Sequence, residues 1–463
     1  MPVTTSDQQQ GTATVSIFSA QYRTLTLGII AIITIAAFEA SAVITAMPVA
    51  ARDLDALTWY AWTFTAFTAA SLFAMVVSGE VADRRGPSSP LAFGMVAFAV
   101  GSAIAGVAPD MLVLLLGRAV QGIGSGAVIV AAYVVIGKTY PDEMRPRVFT
   151  AMSGAWLVPG IAGPAIAGTL ADTVGWRWVF FSVLLLIVPI AAVLIAKLQV
   201  LHLKGDPTLD PQPGRKRRAF LAAVGLALLQ AGGQLLDLVG LGLAVVGVLL
   251  LVLSVPRLLP AGALRLRRGL PTVVSVRGLM AGAFFGAESF IPLMLVNERG
   301  LATATAGLAL SGAVIGWFLG SWYQGRPSTT TPRWKLLQAG AGIVTLGIVT
   351  TVVTVLPSVP PVLVVLTWGG GAFGMGMLYA TLGVLLLQLS PPEEQGINAS
   401  ALQVADSLGV VVCTGLAGAI FAAGHTRAGH DGAVFATIFA TMAVITAFAT
   451  VVAPRVRPAT VAA

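Results

Sequence analysis

The sequence predicts an all-α membrane protein: two six-helix bundles with pseudo-two-fold symmetry plus an inserted two-helix hairpin, about 14 transmembrane helices. Three observations predict it. The 463 residues are 57% hydrophobic and only 10% charged, with a mean hydropathy of +0.89, whereas soluble chains carry roughly 25% charged residues. Apolar stretches of about twenty residues, long enough to cross a bilayer as a helix, recur along the whole chain. Basic residues crowd every second connection between them, as the positive-inside rule requires. The 52 glycines and 26 prolines fit, because transmembrane helices tolerate both.

Residues 1–23 read as a disordered cytoplasmic tail: 1–20 are polar, without a basic n-region, an apolar h-region or a cleavage site. The first bundle, 24–200, has spans at 24–50, 57–79, 90–108, 111–137, 147–171 and 176–197. The linker, 201–270, is basic on both sides of a hairpin over about 219–256: Arg215, Lys216, Arg217 and Arg218 precede it, and Arg257, Arg265, Arg267 and Arg268 follow. Its arms, 219–235 and 238–256, meet near Asp237. Each is close to the minimum crossing length of ~20 residues, so a re-entrant or surface-lying pair would serve equally. The second bundle, 271–455, has spans at 273–296, 303–323, 334–356, 360–388, 396–422 and 432–453, and 456–463 is a tail.

With a cytoplasmic N-terminus, 22 of the 27 Lys and Arg fall inside, Arg277 counted among them. Only Arg52, Arg177, Arg299 and Arg427 fall outside, and Arg118 lies within a span. This imbalance orients the chain with both termini cytoplasmic. A faint repeat links the halves: Gly79 to Gly86, with Asp83, Arg84 and Arg85, reads as a turn after the second span. Its counterpart, Gly320 to Arg326, has Gln324 in place of the acid. Six spans, a linker and six spans is the layout of a transporter with internal repeats.

Three acids stand inside spans: Glu39, Glu288 and Asp406. Low dielectric favours the neutral form of a carboxyl, so such a group can load and release a proton. Deprotonated it attracts a cation and protonated it releases one, the simplest physical basis for proton-coupled antiport. Membrane potential adds about 2.3 kcal/mol per charge per 100 mV. A structural hydrogen bond is the plainer reading of each acid. Aromatic Phe64, Phe67, Trp156, Phe284, Phe285, Trp317 and Trp368 lie deep enough to wall a pocket for a lipophilic cation. Trp59, Tyr60 and Trp62 belong to an interfacial belt, and Met152, Met294, Met375 and Met377 mainly to helix packing.

Other classes are disfavoured. No phosphate-cradling Gly-Lys-Ser/Thr loop is present, so ATP is not the driver. His202, His425 and His430 lack metal-site spacing. No loop is large enough to house an enzyme, and no selectivity-filter repeat marks a channel. The single Cys413 is a small buried residue of a span.

The motif Gly79-x-x-Ala-Asp83-Arg84-x-Gly86 resembles the loop signature of the major facilitator superfamily, although Pro87, Ser88 and Ser89 replace its usual basic residues. The resemblance implies a latch between bundles. Arg118-x-x-Gln121-Gly122-x-Gly124 is similar to a second signature, whose arginine is implicated in proton transfer. Gly154, Gly160, Gly163, Pro164 and Gly168 resemble the fifth-span signature of the exporters, with Ala167 where a second glycine is usual. Pro164 is expected to bend that span. Phe38-Glu39-Ala-Ser-Ala-Val-Ile-Thr-Ala-Met-Pro48 resembles the first-span signature of the fourteen-span drug:proton antiporters, with Glu39 for the usual Asp. Trp176-Arg-Trp178-Val-Phe-Phe181 is similar to the same branch.

The resemblance implies proton coupling through Glu39, Glu288, Asp406 and Arg118. Substrate would be bound by Glu39, Glu288, Gln121 and the seven deep aromatics. The gate would be Gly79, Asp83, Arg84, Arg85, Gly86, Gly160, Gly163, Pro164 and Gly168. It implies a proton-driven exporter of lipophilic cationic drugs, with no cofactor, in a cell (inner) membrane; the alanine- and glycine-rich composition, with 22 Arg to 5 Lys, points to a bacterium. The expected partners are the lipid bilayer, protons and one small lipophilic substrate, with no nucleic acid and a monomeric state. An exporter of one endogenous compound (a lipid, siderophore or secondary metabolite) is the alternative, ahead of a nutrient symporter.

Overall fold

The computed structural model describes residues 16–56, 59–201, 203–210, 212–235, 238–301, 310–326, 330–424 and 431–457. Asp237, His202, His425, His430, Arg427 and most of both tails lie outside them, as does the start of the expected 303–323 span. The described residues are helical with short connections. The first half holds α1 (Arg23–Asp53), α2 (Tyr60–Arg85), α3 (Ser88–Gly106), α4 (Met111–Thr139), α5 (Arg145–Gly154), α6 (Leu157–Thr173) and α7 (Arg177–Leu201). Next come α8 (Arg215–Gln234) and α9 (Leu238–Ser254). The second half holds α10 (Leu270–Glu288), α11 (Ile291–Asn297), α12 (Ser311–Gly325), α13 (Arg333–Val353), α14 (Val362–Leu389), α15 (Gln395–Gly424) and α16 (Gly432–Val452).

Twelve helices among the described residues are long and apolar enough to cross a membrane, counting α5–α6 and α10–α11 as one each. This differs from the expected fourteen at two places. The basic opening turn of α8 dilutes its apolar character, and the described part of α12 has only 15 residues.

Helix pairing repeats between the halves. In the first, α4 packs on α2 and α3, α7 on α3 and α1, and α6 on α1. In the second, α14 packs on α12 and α13, α16 on α13 and α10, and α15 on α10. The halves meet through α2 against α15 and α5 against α12. Helices α8 and α9 run antiparallel: a Cβ on Gly225 would abut Gly247, and one on Gly232 would abut Gly240. The pair sits over the seam between halves. Ala219, Ala222 and Leu226 of α8 share one buried cluster with Leu72 and Val76 of α2 and Val404 and Leu408 of α15.

Two local expectations are corrected. Residues 79–85 are helical, so the second span runs on to Arg85 and only Gly86, at φ +91°, turns the chain. Gly79 instead permits contact: a Cβ there would lie 2.4 Å from the carbonyl oxygen of Gly396. Pro164, expected to bend the fifth span, lies inside the continuous α6. The helical hydrogen bonding of that span is interrupted at Ala155–Trp156, where Pro159 cannot donate to the Ala155 carbonyl and its ring crowds it. Pro292 stands in the same relation to Glu288 and separates α10 from α11. Arg277, counted among the loop charges, lies within α10 and is 5% exposed.

Candidate functional site

A cavity of about 610 Å³ lies between the halves. Its first-half wall includes Glu39, Phe67, Met75, Tyr133, Met152 and Trp156. Its second-half wall includes Arg277, Phe284, Phe285, Glu288, Trp317, Tyr379 and Asp406. The two proline-induced breaks both border it, through Trp156, which is 47% exposed, and Glu288. Most of the lining is apolar or aromatic, with charge at a few points, as in a small-molecule site.

Helix geometry assembles the first charged point. Arg118 and Gln121 are one turn apart on α4 and so face the same way. Arg118 pairs with Glu39 of α1 through Nη1 and donates from the same atom to Gln121 Oε1 at 2.7 Å. Its Nε reaches the Thr63 carbonyl at 3.3 Å, and its guanidinium lies 4.5 Å from the centre of the Phe67 ring. Gln121 then donates to Ser102 Oγ at 2.8 Å, and Ser102 to the Phe98 carbonyl. Glu39 is 1% exposed and Arg118 3%. Removing either partner leaves a buried charge unpaired, which costs about 3–5 kcal/mol.

The second half is built differently. Glu288, the last residue of α10, has no cationic partner among the described residues; it accepts from Trp368 Nε1 at 3.2 Å. Trp368 stacks on Phe284 at 4.5 Å, and Phe284 meets Phe285 and Trp317 edge-on. Deeper in the cavity, Asp406 Oδ1 accepts from Arg277 Nε at 2.5 Å and from the Tyr379 hydroxyl at 2.6 Å. Arg277 lies over the Tyr379 ring at 3.2 Å and also faces Tyr133 of α4, across the interface.

Beyond the cavity floor the halves are joined at the basic-loop end. Asp83, 1% exposed, accepts from the backbone N–H groups of Gly396 and Ile397 at 2.6 and 2.7 Å. These belong to the first turn of α15, where unpaired donors and the helix dipole favour an anion. At the repeated position Gln324 donates to the Pro146 carbonyl at 3.1 Å, and Thr150 to the Ser321 carbonyl at 2.7 Å. Gly396 and Pro146 are both the second residue of their helices. A proline there offers no N–H, so an amide donor replaces the carboxylate. Arg84 joins the linker instead, donating to Leu209 at 3.0 Å, and Arg85 is exposed. Asp206 N–H donates to the Asp83 carbonyl at 2.8 Å, and bonds from Thr208 hold the Asp206 carboxyl below the ordinary carboxylate range. Arg215 of α8 donates to Ser400 of α15 at 3.2 Å, and Lys216 lies 3.8 Å from Glu80 of α2.

Residues 29–371 match the Major Facilitator Superfamily. The chain belongs to that superfamily. That superfamily is one of transporters rather than enzymes. It is 30% identical over 162 residues to Multidrug resistance protein 3 of Bacillus subtilis, covering 35% of this chain and 32% of that protein. It is 26% identical over 400 residues to an uncharacterized MFS-type transporter of Mycobacterium tuberculosis, covering 84% of this chain and 58% of the relative. The multidrug efflux pump SdrM of Staphylococcus aureus is 24% identical over 300 residues, 63% of this chain and 66% of that one. The chain thus spans between a third and two thirds of the length of these relatives. The fold is shared with the human organic anion transporter MFSD10 (TM-score 0.70, 11% identity, 93% of this chain and 99% of that). It is also shared with a bacterial homologue of the iron transporter ferroportin (TM-score 0.68, 13% identity, 93% and 97%).

Within this superfamily fold, Glu39, Glu288, Asp406, Phe67, Trp156, Phe284, Phe285 and Trp317 line one cavity. Three expected lining residues do not. Phe64 packs beside Tyr60, Gln121 lies behind Arg118, and Trp368 lies behind Phe284. Met294, Met375 and Met377 are core residues. Of the fifth-span glycines, Gly160 abuts Val314 of α12, while Gly163 and Gly168 abut Ser41 and Thr45 of α1. Trp176 and Arg177 both hold Asp53 at the end of α1, at 2.9 and 3.0 Å. The residues missed were Arg277, Tyr133 and Tyr379. An arginine eight residues into an apolar helix was the available signal for the first; the tyrosines carried none.

Proposed function

We propose that this chain is a proton-coupled exporter that expels lipophilic cations by alternating access, with fourteen crossings once α8 and α12 are counted. In this reading both termini and the basic loops are cytoplasmic, in a bacterial inner membrane. The observation that carries it is the division of labour between the two cavity acids. Glu39 is already satisfied by Arg118, whereas Glu288 has, among the described residues, only a neutral N–H partner amid aromatic rings. A cation entering the cavity finds its counter-charge at Glu288 and its aromatic faces at Phe284, Phe285 and Trp317. A proton reaching Glu39 dissolves the ion pair with Arg118 and unties α1 from α4. That makes the protonation state a switch between packings of the first half. The multidrug names borne by relatives in B. subtilis and S. aureus support the substrate class.

The closure at the basic-loop end fits the state that accepts protons from outside. Proton entry, latch release at Asp83 and inward opening would follow in that order. Purified protein in liposomes, loaded with ethidium and given a pH jump, tests the proposal. Wild type should exchange ethidium for protons. Glu39→Gln should still bind ethidium without pH-driven flux, whereas Glu288→Gln should lose ethidium affinity. Undiminished proton-driven flux in both variants and in the double would sink the coupling scheme. A second reading, export of one secondary metabolite, is favoured by one relative. The Acurin A biosynthesis cluster MFS-type transporter of Aspergillus aculeatus is 26% identical over 309 residues, 65% of this chain and 52% of that one.

A further inference from the structure

The connection between α9 and α10 encloses a recess of about 310 Å³, apart from the central cavity, lined by Pro256, Pro260, Gly262, Leu264, Arg265 and Arg267 among others. It is a built feature. Ser275 Oγ donates to the Ala263 carbonyl at 2.7 Å, and Thr272 Oγ1 to the Arg267 carbonyl at 2.6 Å. The Gly269 N–H donates to the Arg455 carbonyl at 2.8 Å. These bonds hold Leu266 at φ +52°, a conformation a leucine rarely adopts. The strained backbone projects Arg265 and Arg267 at either side of Leu266, and both are exposed. Neither guanidinium has a hydrogen-bond or ion-pair partner among the described residues. Residues 238–287 contain no acid that might neutralise them. The recess adjoins the end of α9, where Leu249, Val252 and Leu253 are exposed, and Leu264 is 69% exposed on its own rim.

We infer that this recess binds the phosphodiester of an anionic phospholipid. Two free guanidinium forks supply bidentate donors to the phosphate oxygens. The apolar side of α9 and Leu264 supply the surface along which acyl chains lie, which a soluble phosphate cannot use. Basic recesses at the ends of membrane helices attract anionic head groups in this way, each arginine contributing about fivefold in affinity. The inference does not depend on the transport reading, because it concerns a site outside the cavity.

The test uses full-length protein in nanodiscs of equal phosphatidylglycerol and phosphatidylcholine, released and weighed intact by native mass spectrometry. Wild type should retain phosphatidylglycerol in preference to phosphatidylcholine. Arg265→Gln/Arg267→Gln should lose about 25-fold of that preference. Arg217→Gln/Arg218→Gln removes the same charge from the other basic stretch and should keep it. Millimolar inorganic phosphate should not displace the lipid. Equal loss in both double variants would reduce the effect to diffuse surface charge and overturn the site. Unchanged retention in the Arg265/Arg267 variant, or displacement by inorganic phosphate, would overturn it as well.

Discussion

Asparagine at position 83 probes the joint between the halves. Asp83 is buried and receives two backbone N–H bonds from α15 at 2.6 and 2.7 Å. Hydrogen bonds to a charged group contribute about 1.5–3 kcal/mol each. Asparagine keeps one acceptor oxygen but turns an NH₂ group toward the second N–H donor. It also relinquishes the attraction between a full negative charge and the positive end of α15. Relief from burying a carboxylate offsets part of this, leaving a net loss of about 2 kcal/mol in the state closed at the basic-loop end. That corresponds to roughly a 30-fold shift in the open-to-closed ratio. Spin labels at the exposed positions Arg85 and Glu393, in a Cys413→Ser background, report the α2–α15 separation by pulsed electron resonance. Asp83→Asn should populate a longer distance at the expense of the short one. An unchanged distance distribution would refute the reasoning, since the two bonds would then contribute nothing to closure.

Two further outcomes are expected. Gly79→Ala places a methyl 2.4 Å from the Gly396 carbonyl oxygen. Overpacking of about 1–3 kcal/mol should open the same label pair while Asp83 is intact. Arg118→Met should lower the thermal midpoint of the purified protein through the about 3–5 kcal/mol cost of a stranded Glu39, and Glu39→Gln/Arg118→Met should recover more than half of that loss. Simple additivity in this cycle would mean that the two side chains do not act as a pair.

Helical architecture and the places of twelve membrane-crossing segments among the described residues were legible because both follow from local composition. A run of twenty apolar residues has only one way to satisfy its backbone in lipid. Single prolines were harder to read. Pro159, Pro164 and Pro292 look alike in sequence, yet only the first and third coincide with helix breaks. Whether a proline bends or breaks a helix depends on how neighbours support the freed carbonyl. The 79–86 motif was identified, but its glycine reads as turn-forming until α15 is seen against it.

By itself the sequence determined that the chain is helical and membrane-spanning and that ionisable groups lie within its spans. Those properties reside in the side chains of consecutive residues. Only tertiary structure decided which charges are partners. Arg118 reaches back 79 residues to Glu39, Arg277 forward 129 to Asp406, and Asp83 forward 313 to Gly396. Pairings at such separations depend on how helices cross, and the crossing is set by small residues, breaks and packing along entire helices. Glu39 and Glu288 are both acids in first spans of repeated halves. Their difference, one neutralised and one waiting beside an indole, exists only in the packed protein.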